Sequence, residues 1–168
     1  MPNRKVHVRY GAVVGATYAG YRARDEALSH IIARAIGGGL GGVGGGRFAD
    51  LAEPASWPQH RQVFHSVAGG AALTYGTRTP IDKWETHFHQ RALELRTARL
   101  SEPQTPLEQF LLFIREMFYE VIAGIPSGAI VGHVSHLALD GTEGRIPLLG
   151  NPQKMLKTWE IHRRRQRS

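Results

Sequence analysis

The sequence predicts an all-α protein: a single-domain helical bundle, spanning residues 1–168, with a metal site between its helices. Three observations point there. Trp84, Phe88, Ala92 and Leu95 fall on one side of a helix drawn through 81–100. "TPLE" at 105–108 is a helix start, with Thr105 as cap, Pro106 at the first position and Glu108 completing a capping box. In "HVSHLALDG", steps of three and four residues put His133, His136 and Asp140 in one stripe beside Leu137.

Taken in order, "RDEALSHIIARAI" opens with good helix formers and runs into eight glycines between Gly37 and Gly46. No Lys-Ser or Lys-Thr follows them, so a phosphate-binding P-loop is not supported. Leu40 and Val43 are interleaved with the glycines, which favours a helix, or a helix plus a break, whose bare face lets a second helix approach. "EPASWPQHR" reads as a loop, and "QVFHSVAGGAALTYG" as a short buried helix with His65 one turn inside it. "TRTP" reads as a turn before the helix 81–100. From Thr105 an apolar helix runs to about Ala123, "GIPSG" breaks it, and a further helix spans 129–140, closed by Gly141. "NPQKMLKTWEIHRRR" is compatible with a last helix, with Asn151 as its cap.

Composition narrows the chemistry. A hydrophobic fraction of 42% with 21% charged residues is that of a globular domain rather than a disordered chain. There is no cysteine, which excludes disulfides and thiolate metal sites, so a metal must be held by imidazole and carboxylate. No apolar stretch with a small-residue cleavage site follows "MPNRKVHVRY". "FLLFIREMFYEVIAGI" is interrupted by Arg115, Glu116 and Glu120, so no transmembrane helix is expected. A cytoplasmic protein, at most peripheral to a membrane, is the expectation. Of the formal net charge of +7, much lies in basic tails at 1–9 (Arg4, Lys5, Arg9) and 162–168 (Arg163, Arg164, Arg165, Arg167). Such tails attract nucleic acid or an anionic membrane surface without sequence specificity, although a merely solvated tail is the plainer reading.

Acids and histidines gather in three places: Asp50 with Glu53, His60 with His65, and the stripe at 133–140. Each alone has an ordinary structural explanation. Together they are harder to dismiss, because unpaired ionisable groups in apolar surroundings are costly. His30, His87, His89 and His162 fall on polar faces or near the tail and read as surface residues.

At these residues the chain resembles the YdjM-like metal-dependent hydrolases, bacterial and phage proteins often described as membrane-associated. The resemblance is carried by "GGGLGGVGGGRFADLAEP", "HRQVFHS", "HVSHLALD" and "DGTEGRIPLLG", in that order. It covers roughly residues 28–76 and 126–150. By position it implies Asp50, His60, His65, His136 and Asp140 as metal ligands. The chain departs from the family pattern in three places: in the acidic motif the second acid is displaced to Glu53 and its histidine is missing, Gln62 and Phe64 replace the usual Gly and Thr of the His-Arg motif, and the polar segment 81–104 stands where relatives have strongly apolar helices.

The resulting expectation is a metal-dependent hydrolase acting on a phosphate-containing substrate, a phosphoester or phosphodiester, through a metal-activated water. Nitrogen and carboxylate donors make zinc the first choice, followed by manganese, iron or nickel. Glu53 would be the general base or an extra ligand. Arg61 would clamp the anionic substrate or brace its loop, and His133 would be a further ligand or orient His136. The alternative is a non-catalytic, metal-stabilised helical module whose basic tails bind nucleic acid, a protein partner or an anionic membrane surface.

Overall fold

Four helices and no strand make up the described part of the chain, which in this computed structural model comprises residues 4–53, 63–101, 105–142 and 150–151, with isolated positions beyond. They are α1 (Arg4–Arg22), α2 (Leu28–Ala52), α3 (Val67–Ser101) and α4 (Pro106–Gly141). α2 packs against α1 and α4, α3 lies along α4, and α1 also touches α4. The all-α bundle expected from the sequence is thus the architecture found.

The glycine run is continuous helix, and its residues divide by face. Gly37, Gly41 and Gly45 lie against α4, where an added Cβ would collide with the carbonyl oxygens of Val121, Ile125 and Ala129. Gly38 and Gly42 lie against α1, where it would meet the carbonyl oxygens of Gly15 and Gly11, and Gly46 lies against that of His7. Gly44 faces open space. Each helical glycine costs about 1 kcal/mol relative to alanine. The backbone-to-backbone seams on two faces are what offset that cost.

Besides the start of α3, three boundaries differ from the sequence expectation. The basic stretch 1–9 is not wholly a tail, because α1 begins at Arg4. His7, Gly11, Gly15 and Ala19 recur every fourth residue and form the stripe that seats α1 on α2. "TRTP" is not a turn: α3 runs unbroken through Pro80. A helical proline leaves the carbonyl four residues earlier without its donor, and here that residue, Gly76, is exposed to water. "GIPSG" does not break α4, which runs unbroken through Pro126. The carbonyl that Pro126 frees is that of Ile122, and Trp84 of α3 donates its indole N–H to it at 3.0 Å. The Thr105 to Glu108 capping box starts α4 as expected. A last helix beyond Asn151, the basic stretch 162–168 and His162 lie largely or wholly outside the described residues.

The interior is polar. Among the described residues its buried apolar side chains are six alanines and Leu137, whereas His7, His30, His65, His133, His136, Glu53, Glu116, Glu120 and Asp140 are all buried. The large apolar residues point outward instead: Leu28, Ile32, Ile36 and Leu40 line the outer face of α2, and Leu111, Phe118 and Ile125 that of α4. Glu116 and Glu120, which interrupt the apolar run in the sequence, are turned inward. By length and composition alone α4 is long and apolar enough to cross a membrane, a test that the core helix of a soluble protein also passes.

Candidate metal centre

Four elements meet at one end of the bundle. α1 contributes His7, and α2 contributes Asp50 in its last turn. Glu53 follows immediately, its backbone N–H bonded to Ala49 O at 2.8 Å. His65 sits in the turn before α3, not one turn inside it. That turn is fixed by Ser66, whose Oγ donates to Val63 O at 2.7 Å and accepts from the Gly69 N–H at 2.9 Å. α4 contributes His133, His136 and Asp140.

The two central imidazoles face each other through Nε2 at 3.3 Å. Each is held from behind. Nδ1 of His136 lies 2.9 Å from the Gly46 carbonyl, an acceptor only, so this nitrogen carries the proton and Nε2 keeps a lone pair. Nδ1 of His65 lies 2.9 Å from Glu53 Oε2, with the same consequence. With both rings neutral they present lone pair to lone pair, a gap that either a proton on His65 Nε2 or a metal cation fills. In a tetrahedral zinc site with Zn–N near 2.05 Å, two ligand nitrogens stand about 3.3 Å apart.

Carboxylates complete the shell. Asp50 Oδ1 lies 3.4 Å from His65 Nε2 and 3.8 Å from His136 Nε2. Asp140 Oδ2 lies 3.6 Å from His136 Nε2 and 4.0 Å from His65 Nε2. Asp140 Oδ1 lies 3.7 Å from His7 Nε2. Two groups of three potential donors result, Asp50 with His65 and His136, and His7 with His136 and Asp140, sharing His136.

Electrostatics follow the same layout. Burial opposes charge on Asp50, but its hydrogen bond to His65 and the imidazoles of His136 and His65 hold its pKa below the ordinary value. Burial also opposes charge on His65, yet its hydrogen bonds to Asp50 and Glu53 raise its pKa. Burial, with His7 nearby, lowers that of His136 against the pull of Asp50.

Of the predicted ligands, Asp50, His65, His136 and Asp140 converge, while His60 lies outside the described residues, as does Arg61. His133 is not drawn into either donor group. Its buried ring stands edge-on to Phe48 at 5.7 Å, with neither nitrogen hydrogen-bonded among the described residues. Burial and the neighbouring His136 and His65 push its pKa down to about 4, so it is neutral at pH 7. Both oxygens of Glu53 are engaged: Oε1 accepts from the N–H groups of Val63 (2.5 Å) and Phe64 (3.1 Å), and Oε2 holds His65. His7 was missed, although its place at the head of the fourfold-spaced small-residue stripe of α1 is visible in the sequence.

A cavity of about 630 Å³ opens elsewhere, between α1, α3 and α4, beside Tyr18, Arg78 and Ser127, and none of these donors lines it. Compared with known protein families, with curated proteins and with solved structures, the chain matches none.

Proposed function

We propose that this protein is a metal-dependent hydrolase of the YdjM-like kind, cleaving a phosphoester or phosphodiester with a metal-activated water. The observation that carries the reading is the facing pair of Nε2 atoms on His65 and His136, each with its Nδ1 proton engaged behind. Zinc suits donors of this type, with manganese, iron or nickel next. Either group of three side chains leaves a tetrahedral ion one position for water, the pattern of catalytic rather than structural zinc sites. The metal would lower the pKa of that water and stabilise the charge growing on the phosphoryl oxygens. Asp50 and Asp140 would be carboxylate ligands, His7 an additional one, and Glu53 would fix the tautomer of His65.

The outward apolar faces of α2 and α4 support contact with a membrane, and the exposed Lys5 and Arg9 on α1 favour an anionic lipid surface over a neutral one. The rival is a non-catalytic module in which the metal only joins helices. It is favoured if His7, Asp50, His65, His136 and Asp140 all bind one ion and close its shell.

The test uses the full chain purified without a histidine tag. We expect about one or two zinc or manganese equivalents at this centre, with hydrolysis of bis(p-nitrophenyl) phosphate. His65→Ala should weaken metal binding at least tenfold and abolish hydrolysis, while His87→Ala, at an exposed position of α3, should do neither. Metal binding without hydrolysis of any phosphoester would give the centre to the rival reading. No uptake on titration would remove both.

A further inference from the structure

The far end of the bundle holds a second polar cluster, built from residues that sequence reasoning left on the surface or read as interruptions. His30 of α2 is fully buried, and His89 of α3 is largely so, at 18% side-chain exposure. His30 Nε2 lies 2.7 Å from Glu116 Oε1, and Glu116 is gripped through Oε2 by Arg99 at 3.0 and 3.1 Å. His30 therefore donates from Nε2, and Nδ1 keeps a lone pair. That buried Nδ1 has no hydrogen-bond partner, and 3.3 Å away it meets Glu120 Oε1, another acceptor. Glu120 in turn is held from behind, Oε2 accepting from Arg34 Nε at 2.6 Å. His89 joins the same point, Nδ1 at 2.5 Å from Glu120 Oε1 and Nε2 at 3.1 Å from Glu26 Oε1.

We propose that Glu26, His30, His89 and Glu120 form a second divalent-cation site. Donor atoms of Glu26, His30 and His89 all lie within 4.8 Å of one another, and Glu120 Oε1 adds a fourth beside the two imidazoles. The unpartnered Nδ1 of His30 aims at that point, and the His30 ring and Glu120 are braced on their far sides by Glu116 and Arg34, as metal ligands usually are. Charge agrees. With neutral imidazoles, the carboxylates of Glu26, Glu116 and Glu120 exceed the guanidiniums of Arg34 and Arg99 by one, so a cation balances a negative charge carried partly on the half-exposed Glu26. Imidazole and carboxylate donors suit zinc, manganese or iron(II). The ion would take the place of the proton that otherwise joins His89 to Glu120. From His30 to Asp50 the rise of α2 is roughly 30 Å, so the two centres do not share a ligand.

The inference stands apart from the hydrolase reading, because its test counts metal alone. The full chain is stripped with chelator and titrated with zinc and, separately, manganese, with bound metal read by elemental analysis after desalting. In an Asp50→Ala/His65→Ala variant, about one equivalent should remain, and adding His30→Gln should weaken it at least tenfold. Glu26 lies on the half-exposed rim, so Glu26→Gln keeps the test decisive if the His30 variant fails to fold. If the variant lacking the first centre folds but takes up neither ion at millimolar concentration, or if both Glu26→Gln and His30→Gln bind unchanged, a proton on His89 fills the place and the second site does not exist.

Discussion

At the scale of single residues, the Asp50 and His65 pair gives the metal-free protein a defined pH response. The folded pKa of Asp50 is lowered, so its contribution to stability is present above the ordinary value of 3.8 and is lost as pH falls through the depressed one. That of His65 is raised, so its contribution is complete below 6.5 and is lost as pH rises through the elevated value. The pair therefore supports the apo fold best in the window between those two ordinary values. Metal needs the His65 proton gone, so the melting-temperature rise on adding zinc should be larger at about pH 8.5 than at about pH 6, while the metal-free protein becomes less stable over that range. A zinc-induced shift equal at both pH values would contradict this proton-for-metal exchange. The residue types of this centre were legible in sequence because acids and histidines stood out against apolar neighbours. Their roles were not. Glu53 and His133 have the same chemistry as the candidate ligands, and only the peptide N–H groups of Val63 and Phe64, or the edge of Phe48, set them apart from the converging donors.

At the scale of elements, α2 decides the fold, and its glycines are not equivalent. Gly41→Ala should strongly destabilise the protein, because the new methyl collides with the Ile125 carbonyl oxygen and α4 has to move. Gly44→Ala meets nothing within 4 Å and should stabilise by about 1 kcal/mol through helix propensity. Thermal melts of the two variants read this directly; equal effects would mean that α2 does not form seams of this kind. A helical glycine run with a bare packing face was readable, since Leu40 and Val43 break it in a way no linker requires. The lengths of α3 and α4 were not. Proline normally ends a helix, and nothing near Pro126 in the chain announces that Trp84, on another helix, will take up the carbonyl it releases.

At the scale of the whole molecule, polar and apolar residues have exchanged their usual places, and the proposed membrane contact follows from that exchange. The full chain should float with vesicles containing phosphatidylglycerol in a density gradient, and float less with purely zwitterionic ones. Sedimentation as a detergent-free monomer with both would leave the outer apolar faces of α2 and α4 without the lipid partner proposed. The interior also has a bearing on how such a chain can change over generations. A core of large aliphatic side chains can trade one for another and stay filled, but a core of backbone seams and ionic clusters has almost no synonyms. Drift should therefore collect on the outward leucines, isoleucines and phenylalanines, interchangeable among themselves, while the small and charged residues inside stay fixed. That is the reverse of the usual pattern, in which the surface varies through polar residues and the apolar core is held.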